Sequence, residues 1–199
     1  MRDLLIATGS KGKFPEIVKK LEGVPFIFRN LSDEGFPPDY QIDEPFETFE
    51  ENALHKARTI AKKTGKLTLA EDSGLEVDAL GGRPGALSAR YAEGSDKDRY
   101  EKLLGEMNNV PDGKRGAHFK AVVAIVDPES GKERTCEGAF RGEIVREPQG
   151  ENGFGYDPIF FSTELQKTSA QASLEEKNSV SHRGRALEKA KGLLLAEFI

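Results

Sequence analysis

Residues 67–75 read Leu67-Thr68-Leu69-Ala70-Glu71-Asp72-Ser73-Gly74-Leu75, an apolar run followed at once by two carboxylates, a serine and a glycine. The run predicts a buried strand with the acid pair at its end. Because neighbouring side chains on an extended strand point to opposite faces, one acid can face a cleft while the other braces the turn. An acid pair in such a position is suited to holding a divalent metal or activating a water molecule.

A loop rich in lysine and small residues follows the first apolar run of the chain. Residues 4–7 predict a strand and residues 13–21 predict a helix, so Thr8-Gly9-Ser10-Lys11-Gly12-Lys13 connects the two. Free backbone N–H groups at a helix start, two hydroxyls and two lysines suit an anion such as phosphate. The Gly-x4-Gly-Lys-Ser/Thr spacing of a P-loop is missing, so an ordinary solvated turn remains the alternative.

A second acidic segment precedes the next helix. A capping box at 48–51 begins a helix predicted over 48–63, with Lys56 beside its apolar stripe. Asp43 and Glu44 lie in the loop before it. If this loop folds back beside Asp72, Glu44 could complete a magnesium site, because Mg²⁺ is usually bound through one or two carboxylates and substrate phosphates.

Two further segments near the carboxyl terminus are candidates for ligand binding. Phe154-Gly155-Tyr156-Asp157-Pro158 offers aromatic rings for stacking on a nucleobase, worth about 1–3 kcal/mol, with hydrophobic anchoring of the loop as the alternative. In Ser181-His182-Arg183, the His-Arg pair can donate to carbonyl oxygens, while Ser181 can equally cap the last helix.

Strands and helices alternate in the first part of the chain and strands follow one another later. This order predicts an α/β fold with a mixed sheet flanked by helices. The predicted strands are 4–7, 24–28, 67–70, 118–126, 134–140 and 143–145, and the further helices are 95–107, a short one from Ser173, and 186–198.

Composition restricts the class of protein. The 199 residues fit a single domain, 1–199, and the net charge of −5 argues against wrapping of nucleic acid. Cys136 is the only cysteine, which excludes an intrachain disulfide and a cysteine-rich zinc site. The apolar runs are too short for a signal peptide or a membrane helix, so we expect a soluble cytoplasmic protein.

Taken together, these segments resemble the inosine triphosphatase family, also named the Ham1 family or the RdgB-type noncanonical purine nucleotide pyrophosphatases. The similar motifs occur in family order and span nearly the whole chain. They are Ala7-Thr8-Gly9-Ser10 with Lys13 and Glu16, Thr48-Phe49-Glu50-Glu51-Asn52-Ala53 with Lys56-Ala57, Glu71-Asp72-Ser73-Gly74-Leu75, Pro84-Gly85 with Ser88-Ala89-Arg90-Tyr91, Gly153-Phe154-Gly155-Tyr156-Asp157-Pro158 with Phe160-Phe161, and Lys177 with Ser181-His182-Arg183-Gly184.

The resemblance implies an elongated mixed sheet with two lobes and a central substrate cleft, usually in a homodimer. It implies Mg²⁺-dependent hydrolysis of inosine, deoxyinosine and xanthosine triphosphates to the monophosphate and pyrophosphate. The implied roles are phosphate binding by Thr8, Gly9, Ser10, Lys11, Gly12, Lys13, Lys56 and Lys177; metal binding by Glu44, Asp72 and Glu71; water activation by Asp72; substrate contact by Ser73; and base recognition by Phe154, Gly155, Tyr156, Asp157, His182 and Arg183.

Two departures from the family pattern concern the fine geometry. Ser10 stands where the family commonly has Asn, and Glu71 stands where many members have Asp. The residues leave open which of Asp43, Glu44 and Glu71 joins Asp72 at the metal, and how guanine is rejected. The rival functions are a house-cleaning pyrophosphatase for another modified nucleotide and a nucleotide sensor that does not hydrolyse.

Overall fold

The computed structural model describes residues 1–10, 12–37 and 40–199. Within them, seven strands form one sheet in the order β2-β1-β3-β4-β5-β6-β7. The strands are β1 (Arg2–Ile6), β2 (Phe26–Arg29), β3 (Leu67–Val77), β4 (Gly116–Val126), β5 (Glu133–Ile144), β6 (Phe160–Ser162) and β7 (Lys167–Thr168). The α-helices are α1 (Lys13–Lys20), α2 (Phe49–Thr64), α3 (Asp96–Glu106), α4 (Leu174–Val180) and α5 (His182–Glu197).

The sheet is mixed, which confirms the predicted α/β class. β1 runs parallel to both β2 and β3, and Leu4 lies opposite Phe28 on one side and Leu67 on the other. β6 is antiparallel to both β5 and β7. The parallel part follows from the connections, because α1 lies between β1 and β2 and α2 lies between β2 and β3, as crossovers between parallel strands require.

The first of two compact units comprises Met1–Asp72, Ala121–Gly138 and Arg183–Ile199. Its core joins one face of β1, β3 and β4 to the apolar sides of α1 and α5. Alternate strand residues such as Leu4, Ile6, Leu67 and Leu69 contribute to it, as do Ile17 of α1 and Leu187 of α5. The period of two along the strands therefore selects which residues of β3 face α1 and α5.

The second unit comprises Ser73–Lys120 and Ala139–His182. Its core is built around large side chains of the strands and of α3, the helix predicted over 95–107, which starts after a capping box formed by Ser95 and Asp98. Tyr156 belongs to this core. The other members include Leu75, Leu103, Met107, Phe140, Ile144, Ile159 and Phe160.

Two glycines that lay outside the predicted strands are inside strands in the structure. β3 continues through the acid pair to Val77, and a Cβ on Gly74 would lie 2.4 Å from Ser88 Oγ. β5 is one strand rather than the two predicted, and a Cβ on Gly142 would lie 2.2 Å from the Phe161 carbonyl oxygen. Both glycines are required by close neighbours rather than by turns.

Other predicted boundaries shift by a few residues. β2 spans 26–29 rather than 24–28, and α5 begins at His182 rather than at residue 186. The short strands β6 and β7 fall in a region without predicted strands. Among the described residues, no helix is long and apolar enough to cross a membrane.

Candidate active site

Glu71 and Asp72 are consecutive residues of β3, so their side chains point to opposite faces of the sheet. Glu71 Oε2 is 3.2 Å from Lys13 Nζ of α1 and accepts a hydrogen bond from Arg183 Nε of α5 at 3.1 Å. Asp72 Oδ1 instead accepts from Lys56 Nζ of α2 at 2.9 Å. The two acids therefore lie among different helices.

Lys56 joins two carboxylates that are distant in sequence. Its Nζ atom donates to Glu44 Oε1 at 2.8 Å and to Asp72 Oδ1 at 2.9 Å, and its side chain is only 9% exposed. Burial lowers the pKa of Lys56, but Asp72 and Glu44 outweigh this effect and raise it. Burial raises the pKa of Asp72 although Lys56 opposes that rise, a perturbation common in groups that accept protons.

The structure distinguishes the three acids considered as partners of Asp72. Glu44 shares the Lys56 ammonium with Asp72, whereas Asp43 is exposed. Glu71 stays a predicted metal ligand, but strand alternation places its carboxylate on the face of α1 and α5, opposite to the face of Asp72. Within residues 1–10, 12–37 and 40–199, no cluster of three or more His, Cys, Asp or Glu side chains suits a metal ion.

Asn52 is a site residue to which the sequence analysis assigned no role. Its Nδ2 atom donates to Asp72 Oδ2 at 3.3 Å and to the Phe46 carbonyl oxygen at 3.1 Å. Its Oδ1 atom accepts from Phe46 N at 3.0 Å. Asn52 lies four residues before Lys56, and this spacing on one helix face was the available sequence signal.

Arg183 is held between two acids at the start of α5. Nε donates to Glu71 Oε2 at 3.1 Å and Nη1 donates to Glu16 Oε2 at 3.0 Å. Burial lowers the pKa of Arg183, but Glu71 and Glu16 more than compensate and raise it. The sequence analysis assigned no role to Glu16. Its position three residues after Lys13, on the same face of α1, was the local pattern that could have linked it to the site.

The loop after β1 is largely exposed, as an anion-binding loop requires. Gly9, Ser10 and Gly12 are exposed, and Ser10 N donates to Thr8 Oγ1 at 3.2 Å. Lys11 lies outside the described residues. A cavity of about 230 Å³ adjoins this loop within the first unit, and its lining comprises Thr8, Gly9, Ser10, Phe14, Asn30, Leu31, Ser32, Pro37 and Tyr40.

In the second unit, the two aromatic residues of the 154–158 segment differ in exposure. Phe154 is 72% exposed, and Lys177 Nζ lies 4.8 Å from its ring centroid. Tyr156 is only 4% exposed and donates to the Ser88 carbonyl oxygen at 2.8 Å. The stacking prediction for an aromatic pair therefore suits Phe154, whereas Tyr156 anchors the loop, which was the alternative interpretation.

Two carboxylates hold the backbone of this loop. Asp157 is buried, forms an ion pair with Lys177, and accepts from Phe154 N at 2.9 Å. Asp96 accepts from Gly155 N at 2.7 Å, and that hydrogen bond lowers the pKa of Asp96. Asp96 had no sequence signal, because it lies 59 residues from its partner.

His182 and Ser73 complete the predicted set in the second unit. The His182 ring stacks on Phe119 with a centroid separation of 5.4 Å and an interplanar angle of 18°. This contact fixes the plane of the imidazole. Ser73 is half-buried on β3, directly after Asp72.

The Asp72–Lys56–Glu44 cluster has the donor set for a hard divalent cation. Two carboxylates converge on one positive charge, and Mg²⁺ is commonly bound by one or two carboxylates with the remaining positions taken by water and substrate phosphates. A buried carboxylate with a raised pKa can also accept a proton from water. The residues present thus fit a hard divalent cation such as Mg²⁺, which Asp72 and Glu44 would hold.

Comparisons with known proteins agree with these features. The Ham1 family profile matches residues 4–193. The chain is 48% identical over 189 residues to a dITP/XTP pyrophosphatase of Geobacter sulfurreducens, covering 94% of each protein. It is 46% identical over 197 residues to a dITP/XTP pyrophosphatase of Bacillus licheniformis, covering 98% of each.

The fold is shared with a solved structure of the same family. A HAM1 protein from Coxiella burnetii superposes with a TM-score of 0.90 at 39% identity, over 98% of this chain and 99% of that one. The resemblance found in the sequence motifs is confirmed by these matches, which extend over almost the full length. The chain belongs to the Ham1 family.

Proposed function

We propose that this protein hydrolyses noncanonical purine nucleoside triphosphates, namely ITP, dITP and XTP, to the nucleoside monophosphate and pyrophosphate. The observation that carries the proposal is the convergence of Asp72 and Glu44 on the buried ammonium of Lys56, in a protein that also has an exposed loop suited to anions. Relatives at 46–48% identity are named dITP/XTP pyrophosphatases, which supports the same substrate class.

In the proposed reaction, Asp72 orients the attacking water and accepts its proton. Phosphoanhydride hydrolysis needs little covalent assistance beyond a positioned nucleophile and neutralised charge. Asp72 and Glu44 would hold Mg²⁺ together with the substrate phosphates, and bound Mg²⁺ would neutralise developing charge on the phosphate oxygens. Lys56, already within reach of both acids, would exchange its carboxylate contacts for phosphate oxygens.

Phosphate binding is assigned to the loop after β1. Its exposed backbone at Gly9, Ser10 and Gly12, with the Thr8 hydroxyl and the charges of Lys11 and Lys13, is suited to the triphosphate. Lys177 would add a further charge. Its present partners, Asp157 and the Phe154 ring, show that its ammonium lies beside the aromatic loop.

Base recognition is assigned to the exposed Phe154 ring, with Gly155, Tyr156 and Asp157 shaping the loop and Ser73 contacting substrate. His182, stacked on Phe119, and Arg183 would donate to the 6-oxo group of hypoxanthine or xanthine. Such donors disfavour adenine, because its 6-amino group leaves them unpaired. Glu71 is assigned to positioning Arg183 and Lys13.

The remaining assignments concern the whole protein. We propose one domain over residues 1–199, a homodimer, and a cytoplasmic location, with no nucleic-acid or membrane partner. The rival activities on another modified nucleotide, or nucleotide sensing without hydrolysis, lack a specific supporting observation. A sensor has no need of a buried carboxylate beside a candidate metal site.

The decisive experiment is a panel of nucleoside triphosphates incubated with and without Mg²⁺, with products identified by chromatography. We expect monophosphate and pyrophosphate from ITP, dITP and XTP, little product from ATP, and none without the metal. Asp72→Asn should reduce turnover by at least about a hundredfold while the protein melts normally, because a general base contributes roughly 10²–10⁴-fold. Nucleoside diphosphate and orthophosphate as products would refute the proposal.

A further inference from the structure

Asn52 forms a buried junction between α2, β3 and the segment that carries Glu44. The side chain is fully buried, and Phe46 and Asp72 are its hydrogen-bonding partners. Phe46 lies two residues after Glu44, in a part of the chain without a helix or strand. Asn52, like Lys56, is therefore a residue of α2 that touches both the Glu44 segment and the acid of β3.

The chemistry of this junction requires a carboxamide. Oδ1 accepts from Phe46 N at 3.0 Å, while Nδ2 donates to the Phe46 carbonyl at 3.1 Å and to Asp72 Oδ2 at 3.3 Å. The partners determine the orientation of the amide, because an ionised Asp72 accepts only and Phe46 N donates only. A carboxylate in place of the amide could not donate to Asp72, and an apolar side chain could form none of these bonds.

The two bonds to Phe46 hold its peptide groups against α2, and the third bond turns Asp72 Oδ2 towards the helix. Asp72 Oδ1 is then left for Lys56, which also contacts Glu44. The relative placement of the two acids thus depends on one buried side chain as well as on Lys56. In a cluster that binds phosphate through Lys56, the hydrogen bonds of Asn52 would still connect the Glu44 segment to Asp72.

We propose that Asn52 is a positioning residue that sets the Glu44 carboxylate against Asp72 for divalent-cation binding. The expected effect of Asn52 on turnover rests on the proposed function. Its effect on the position of the Glu44 segment rests only on its hydrogen bonds to Phe46 and Asp72. Residues that orient metal-binding side chains typically contribute about 10–100-fold to metal affinity or activity.

The test compares Asn52→Leu and Asn52→Ser with Ile60→Val, a buried substitution on the same helix that lies outside the site. Asn52→Leu keeps the volume and removes the polar groups, and Asn52→Ser provides a smaller polar variant if the first does not fold. Melting temperature, amide hydrogen exchange at residues 43–47, and the Mg²⁺ dependence of pyrophosphate release are measured for each.

We expect the Asn52 variants to exchange the Phe46 amide faster and to need about tenfold or more Mg²⁺ for half-maximal turnover. Their KM for inosine triphosphate at saturating Mg²⁺ should change little. Ile60→Val should melt at a lower temperature and leave exchange at 43–47 and the Mg²⁺ dependence as in the original protein.

Folded Asn52 variants with an unchanged Mg²⁺ dependence would overturn the inference and leave Asn52 a structural residue. Failure of the proposed function is a different result, in which the unsubstituted protein releases no pyrophosphate from any nucleotide. In that case hydrogen exchange at Phe46 still decides whether Asn52 holds the Glu44 segment, and unchanged exchange would overturn the inference.

Discussion

At the scale of single residues, two neighbouring carboxylates of β3 have different partners because they lie on opposite faces of the sheet. Glu71 is held by Lys13 and Arg183, while Asp72 is held by Lys56 and Asn52. Both carboxylates are buried, and a buried charge is tolerated only when it is paired. Cations from three helices, α1, α2 and α5, supply that pairing.

Arg183→Ala tests whether this arginine donates a hydrogen bond to the 6-oxo group of the purine base. Its Nε and Nη1 atoms donate to Glu71 and Glu16, and the prediction is that Nη2 donates to the base of the bound nucleotide. Loss of a charged donor should narrow the preference for inosine triphosphate over adenosine triphosphate by roughly tenfold or more, since such bonds contribute about 1.5–3 kcal/mol. The measurement is kcat/KM on both nucleotides.

Arg185→Ala, which removes an exposed arginine two residues further along α5, is the control. Arg183→Ala also leaves the buried Glu71 with fewer partners, so some loss of stability accompanies it. The ratio of the two efficiencies is insensitive to that loss because both are measured on the same folded population. An equal fall on both nucleotides would make Arg183 a structural or phosphate-binding residue.

At the scale of elements, buried arginine also organises the second unit. Arg115 precedes β4 and donates to the carbonyl oxygens of Met107, Val110, Ile144 and Val145 at 2.7–3.3 Å. Met107 and Val110 follow the end of α3, Ile144 is the last residue of β5, and Val145 follows it. Burial lowers the pKa of the Arg115 guanidinium, and the four carbonyl oxygens accept its hydrogen bonds.

Arg115→Met should reduce the free energy of unfolding by about 3 kcal/mol or more, because several buried carbonyl groups lose their donor. Urea denaturation checks the value, and turnover per folded molecule should be retained. Arg146→Ala is the matched control, since its side chain is 51% exposed and its pair with Asp112 is worth about 0–1 kcal/mol. Similar losses for both variants would contradict the assigned role of Arg115.

At the scale of the whole molecule, the chain crosses between its two units within regular structure. Of the four boundaries, those at Asp72–Ser73, Lys120–Ala121 and Gly138–Ala139 fall inside β3, β4 and β5, and the fourth, at His182–Arg183, falls in the first turn of α5. Domain boundaries usually fall in exposed linkers. Strands that continue from one unit into the other are expected to lose their order together.

Thermal unfolding should accordingly proceed as a single cooperative transition. Calorimetry should give equal calorimetric and van't Hoff enthalpies, the standard test of two-state behaviour. The same transition should be seen by far-ultraviolet circular dichroism and by tyrosine fluorescence. Two separated transitions would argue that the units unfold independently and would contradict the single-domain assignment.

Short-range features were predictable from the sequence. The Thr48 and Ser95 caps mark the starts of α2 and α3, because capping involves residues three positions apart. Alternating strands and helices predicted the parallel part of the sheet. The ordered set of motifs predicted the family, and the apolar run before Glu71 and Asp72 located the candidate site.

Only the tertiary structure decided which charged and polar side chains pair with one another. Strand β3 continues past Gly74, where Ser88 lies too close to admit a Cβ, and the tertiary structure decides which helices cover the faces on which Glu71 and Asp72 lie. Arg183 and Glu71 are 112 residues apart, so no local pattern could pair them. Periodicity and capping depend on neighbours within one helical turn, whereas the contacts that select Glu44, bury Tyr156 and engage Asn52 exist only after distant segments have packed.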